Sequence, residues 1–106
     1  MANKDKQKKS DSPAGYSLQV DTKVAKAILD YQPKVFKQVV MKIFSLQSNP
    51  RPQDCKKLVG YEGGYRVDSG EFRILYTIDD SKKLVTVFLV GKRGDDEVYK
   101  DLKRQE

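Results

Sequence analysis

The sequence predicts an α+β domain. A small sheet, an N-terminal strand plus a three-strand antiparallel meander, is covered by a two-helix hairpin and followed by a short C-terminal helix. Three observations predict it. Residues 16–20 alternate Tyr16, Leu18 and Val20 with Ser17 and Gln19, as a half-buried strand does. Residues 22–48 hold two apolar stripes at helical spacing, divided by Gln32-Pro33. Residues 65–90 hold three β-type runs separated by short polar turns.

Each element has its own justification. Asp21 and Thr22 supply an N-cap for the first helix, on which Val24, Ala27, Ile28 and Tyr31 recur on one side. Pro33 suits the first turn of the second helix because it has no N–H to lose there. Phe36, Val39, Val40, Ile43, Phe44 and Gln47 follow, so that helix runs to about Ser48 and ends before Asn49-Pro50. Residues 51–64, which follow Pro50 and hold Pro52 and three glycines, form a loop anchored by Leu58. A short strand covers 65–68, and Ser69-Gly70 turns the chain. The next strand, 72–78, puts Phe72, Ile74, Tyr76 and Ile78 on one face and Arg73, Leu75 and Thr77 on the other. Asp79-Asp80-Ser81-Lys82 is a second turn. Residues 84–90 are apolar on both faces, as expected of a central strand. Val98, Tyr99 and Leu102 mark a short helix over 95–105. The first 15 residues carry four lysines, two aspartates and no aromatic side chain, so they read as a flexible basic tail ahead of a domain at 16–106.

Composition narrows the chemistry. The 106 residues carry 21 Lys+Arg against 15 Asp+Glu, a net charge of +6, and no histidine. A Ser-His-Asp triad, a paired-His ribonuclease site and a His-ligated metal are thereby excluded. The single cysteine, Cys55, allows no internal disulfide and no Cys-rich zinc site, which suits a reducing compartment such as the cytoplasm. Cys55 itself reads as a small packed thiol or an idle loop residue, having no histidine to activate it. No run approaches a membrane span, and no apolar stretch follows the N-terminal lysines as a secretion signal requires.

Arginine and lysine are distributed differently. Lysine dominates the tail and helices, whereas Arg66, Arg73 and Arg93 fall on or just after strands. A meander brings such positions to one surface, and the planar guanidinium fork suits phosphate. Periodicity leaves a second reading equally open, in which each arginine pairs with a nearby carboxylate on a solvated face. Lys56, Lys57, Lys82 and Lys83, with Lys34, Lys37 and Lys42 on the helices, are candidate contacts to an RNA backbone or plain solvated charge.

Longer strings add a resemblance. Lys57-Leu58-Val59-Gly60, Tyr65-Arg66-Val67, Gly70-Glu71-Phe72-Arg73-Ile74-Leu75-Tyr76 and Val90-Gly91-Lys92-Arg93 with Glu97-Val98-Tyr99 resemble the RelE/ParE toxin superfamily. They look most like its RelE branch, the messenger-RNA-cleaving toxins of bacterial toxin–antitoxin pairs. The likeness covers residues 16–102, and the element order derived above suits that family.

The resemblance implies a metal-independent, ribosome-dependent endoribonuclease that needs no cofactor and cuts messenger RNA in the ribosomal A site. Carried over by position, it implies Arg66, Arg73, Arg93 and Tyr99 as catalytic residues. One position departs from the pattern, because Asp68 stands where the branch often has a basic residue. Asp68 reads as closing the turn before Ser69-Gly70; an accessory proton role, or compensation by Lys92, is the alternative. The implied partners are the ribosome, messenger RNA and a RelB-like antitoxin in a heterotetramer or larger assembly, with no membrane. Two other functions fit the superfamily: a ParE-like inhibitor of DNA gyrase, and a degenerate module that binds antitoxin or nucleic acid without catalysis.

Overall fold

The computed structural model describes residues 15–93. The tail expected over 1–15 lies outside them except for Gly15, as do the helix expected over 95–105 and Tyr99. The chain runs β1 (Ser17–Val20), α1 (Thr22–Leu29), α2 (Pro33–Ser45), β2 (Lys56–Lys57), β3 (Gly64–Ser69), β4 (Phe72–Asp79) and β5 (Leu84–Lys92). The strands form one sheet in the order β1-β5-β4-β3-β2. β1 is parallel to β5, and every other pairing is antiparallel. The expected α+β architecture is present, with β5 between β1 and β4 as its apolar faces require.

Both helices pack on one face of the sheet. Val24 and Ile28 of α1, Val39 and Ile43 of α2, and Leu46 meet Val67, Ile74, Tyr76, Val85 and Val87 in the main core. The opposite face holds a smaller cluster of Leu58, Leu75, Phe88 and Leu89, edged by Tyr61 stacked on Phe88 at 5.0 Å. One irregularity supplies that cluster. The β4–β5 register pairs Leu75 with Leu89 but Tyr76 with Val87, so Phe88 is an extra residue in β5. The bulge turns Phe88 and Leu89 to the same side, where strict alternation would separate them. The alternation expected of β4 is observed, with Phe72, Ile74, Tyr76 and Ile78 on the helix side and Leu75 opposite.

Several expectations are corrected. Residues 51–64 are not all loop: Lys56 and Lys57 pair with Arg66 and Tyr65 as a fifth, two-residue edge strand. Asp21 occupies the N-cap position of α1, but its side chain makes no capping bond; its N–H instead donates to Val87 O at 2.9 Å, tying the helix to β5. Ala27 is exposed, and the buried stripe of α1 is Val24 and Ile28. α2 ends at Ser45, because the next N–H groups switch to tighter bonds, Leu46 N to Ile43 O and Gln47 N to Phe44 O. Pro33 opens α2 as expected. Cys55 is half-buried against the core.

Candidate functional site

The site is built on the helix-free face by the β3–β4 hairpin and the end of β5. Ser69 pairs with Phe72, so Gly70 and Glu71 form a two-residue loop. Gly70 has φ +60, and two-residue hairpin loops that match the strand twist need such a positive φ. That register fixes the next pair, placing Asp68 directly across from Arg73. Val67 is buried against the helices, so strand alternation sends Arg66 and Asp68 to the other face.

Asp68 joins two arginines. Arg73 Nε donates to Asp68 Oδ1 at 3.0 Å, and Arg93 Nε approaches Asp68 Oδ2 at 3.4 Å. The Arg73 side chain is 16% exposed and that of Arg93 51%, so the first lies in the sheet surface and the second stands above it. The hairpin holds Arg93 from below: Arg93 N donates to Glu71 O at 2.7 Å, and its Nη1 to Gly70 O at 3.4 Å. Arg73, Arg93, Lys92 and Glu71 line an open groove of about 410 Å³. Lys92 is exposed at the end of β5, opposite Phe72.

Arg66 is half-buried opposite Leu75, one diagonal step from Arg73, a separation of about 7–8 Å between Cα atoms in such ladders. On its other side it faces Lys56. Like charges directly opposite each other disfavour the pairing, and an anion between them removes that cost. Lys57 is exposed beside Lys56. Lys82 and Lys83 lie elsewhere, in the β4–β5 turn. Asp79 is six residue steps along β4 from Arg73, about 20 Å at the rise of a strand. Lys82 N donates to Asp79 Oδ1, and Lys83 Nζ lies 5.5 Å from the Tyr16 ring.

The structure thus brings together Arg66, Arg73, Arg93, Lys92 and Lys56, and separates Lys82 and Lys83 from them. It corrects the account of Asp68, which lies inside β3 and bridges two arginines rather than closing the turn. A sequence signal for this exists: a two-residue loop at Gly70-Glu71 puts residue 68 opposite residue 73. Both sequence-level expectations for the arginines are partly realised, since they share a surface and two of them also share a carboxylate. Arg51 lies outside this surface and pairs with Asp80, far from the groove.

The five-stranded sheet with two helices on one face is a fold that this chain shares with solved RelE toxins. The chain belongs to the family of ParE toxins of type II toxin–antitoxin systems, whose family model matches residues 16–97. It is 27% identical over 81 residues to the RelE1 toxin of Methanocaldococcus jannaschii, covering 74% of this chain and 90% of that one. Free Escherichia coli RelE, carrying two arginine-to-alanine substitutions, superposes with a TM-score of 0.68 at 30% identity, over 85% of this chain and 97% of that chain. RelE in the intact E. coli RelBE toxin–antitoxin complex gives a TM-score of 0.64 at 28% identity, over 76% and 99%. The chain is a RelE-like toxin of a type II toxin–antitoxin system.

Proposed function

We propose that this toxin is a metal-independent, ribosome-dependent endoribonuclease that cleaves messenger RNA in the A site. The observation that carries the reading is the convergence of Arg73 and Arg93 on one point, 3.0 and 3.4 Å from the two oxygens of Asp68, with Arg66 one step along the sheet. Two guanidinium groups held this way suit a phosphodiester, whose charge rises as the 2′-oxygen attacks phosphorus in line. The P–O5′ bond breaks as the P–O2′ bond forms, leaving a 2′,3′-cyclic phosphate and a 5′-hydroxyl. One proton leaves the 2′-OH and one reaches O5′.

With no histidine in the chain, proton movement falls to other groups. In this reading Tyr99 serves as proton carrier or base-stacking platform, and Arg66, Arg73 and Arg93 stabilise charge. Lys56 extends the positive surface along the RNA, with Lys92 at its rim, whereas Lys57 pairs with Tyr65 and falls on the helix side of the strand. Lys82 and Lys83 are 20 Å or so along β4 and suit contacts to ribosomal RNA rather than to the scissile nucleotide. The ribosome supplies what the open groove lacks, a messenger held in attacking geometry.

The partner in this reading is a RelB-like antitoxin, as in the E. coli RelBE complex, and the site of action is the cytoplasm. The test is cleavage of messenger RNA on programmed ribosomes, read by primer extension. Cuts in the A-site codon that disappear with Arg73→Ala plus Arg93→Ala support the proposal; an intact message with the unaltered chain overturns it. The ParE name of the matching family model favours one second reading, inhibition of DNA gyrase. A supercoiling assay separates the two, and ribosome binding without cleavage marks a non-catalytic module.

A further inference from the structure

We infer that Asp68 is an internal counter-anion of the RNA-binding groove, a positioning residue that holds Arg73 and Arg93 at phosphate spacing and keeps their affinity for free RNA low. Its carboxylate puts one oxygen on each guanidinium, Oδ1 at 3.0 Å from Arg73 Nε and Oδ2 at 3.4 Å from Arg93 Nε. A phosphodiester likewise offers two charged oxygens on one central atom, so the carboxylate stands in for it. Asp68 is set for this by the backbone, since the β3–β4 register places it opposite Arg73 whatever ligand is present. Its side chain is 35% exposed and adjoins the groove through its ion pairs to Arg73 and Arg93, which line it.

Two consequences oppose each other. The carboxylate orders both arginines before any ligand arrives, which lowers the entropy cost of gripping a phosphate. Its charge also subtracts from the positive potential of the groove, where Glu71 is the other acid beside Arg73, Lys92 and Arg93. Loose RNA therefore binds weakly, and a phosphate pressed into the groove by a larger assembly still meets two prepositioned arginines. This inference rests on the RNA-cleaving reading for its choice of ligand.

The experiment measures binding without cleavage. A 2′-O-methyl oligouridine decamer lacks the attacking hydroxyl, so its affinity is read by fluorescence anisotropy across a salt series. Asp68→Asn is expected to bind it about three- to tenfold tighter near 0.1 M salt, the size of one charge change at a surface dielectric. The plot of log affinity against log salt should steepen, because one more cation faces phosphate. Asp68→Glu restores the charge and should return both quantities to those of the unaltered chain. Asp30→Asn removes the same charge at the end of α1, on the helix side, and should change neither. Asp68→Ser serves as a second variant, and thermal melts establish which of the two is folded. Unchanged or weaker binding by the folded Asp68 variant, or an equal gain from Asp30→Asn, overturns the inference. Cleavage on programmed ribosomes is scored separately, so its absence counts against the proposed activity and leaves the binding comparison intact.

Discussion

Arg51 grips Asp80 with both ends of its guanidinium, Nη1 to Oδ1 at 3.2 Å and Nη2 to Oδ2 at 2.9 Å. The same carboxylate accepts the Tyr16 hydroxyl at 2.7 Å, and Arg51 Nε reaches the Tyr65 hydroxyl at 3.2 Å. Four segments distant in sequence are pinned at one corner: the approach to β1, the loop after α2, β3 and the β4–β5 turn. The corner lies at the opposite end of β4 from Arg73, so two kinds of arginine share the molecule. One is matched to a carboxylate to hold the fold, and the others crowd a single carboxylate on an open face.

The corner makes stability depend on acid pH. Hydrogen bonds from Arg51 and then Tyr16 hold the Asp80 carboxyl below its ordinary value of 3.8. The folded chain therefore takes up this proton less readily than the unfolded chain does. The contribution is complete above the ordinary value and is lost as pH falls below it towards the lowered one. Asp79, lowered by Ser81 and by Lys82 N–H, adds in the same direction. Asp80→Asn is expected to flatten the acid side of the stability profile and leave the slope between pH 5 and 8 unchanged, as read from urea midpoints over a pH series.

Tyr76 governs the alkaline side. It is fully buried, and its hydroxyl donates to Pro50 O at 2.8 Å, fastening the end of the α2 loop to the middle of the sheet. Burial above all pushes its phenol well above 10.0. A raised folded value means that the stabilisation is present below pH 10 and is lost as pH climbs through the folded value. Tyr76→Phe removes the titration and leaves the Pro50 carbonyl unpaired, at a cost of about 1–2 kcal/mol at neutral pH. Thermal melts should show a fall of about 4–8 °C per kcal/mol at pH 7 and a shallower decline above pH 10.

What the sequence made legible followed the strength of its periodic signals. β4 has four apolar residues at alternate positions, and α2 has an apolar stripe, so both elements follow from side-chain period, as does the burial of Val39 and Ile43; Phe44, on the same expected stripe, is 54% exposed. β2 has two lysines and no period; it exists because β3 offers it an edge. The bulge at Phe88 leaves no mark in a run that is apolar on both faces, yet it decides that Phe88 and Leu89 share the helix-free side. The surface holding Arg66, Arg73 and Arg93 was legible from strand placement. The bond between Asp68 and its two arginines was not, because a carboxylate before Ser-Gly is also a common turn residue. A register, not a composition, distinguishes the two.

Gly64 opens β3 under the smaller cluster, and its hydrogen is a packing requirement. A Cβ there would lie 2.8 Å from Tyr61 Cδ1, 2.9 Å from Leu58 Cδ1 and 3.2 Å from Tyr61 O. The backbone carbonyl cannot swing aside, because Gly64 N donates to it at 3.1 Å. Gly64→Ala is expected to cost about 1–3 kcal/mol by overpacking. Near-ultraviolet circular dichroism should report loss of the Tyr61–Phe88 stacking, while the far-ultraviolet spectrum stays unchanged.

The arginine pair gives the most direct prediction for the proposed reaction. Each of Arg73 and Arg93 stabilises charge that grows only as phosphorus is attacked, so its removal should lower the rate constant more than it weakens binding. Arg73→Ala and Arg93→Ala are each expected to reduce single-turnover cleavage on programmed ribosomes by about a hundredfold, the usual size for one preorganised donor. The two effects should combine to less than their product. Both guanidinium groups are held by Asp68, so losing either frees the carboxylate to repel the phosphate and weakens the survivor's hold. Replacement of Arg73 by lysine should restore little, because a point charge cannot meet Asp68 and a phosphate with one planar fork. Arg51→Lys, at the far corner, should lower the melting temperature and leave the cleavage rate of the folded fraction unchanged. Equal losses from Arg51→Lys and Arg73→Lys would place the effect in folding rather than in chemistry.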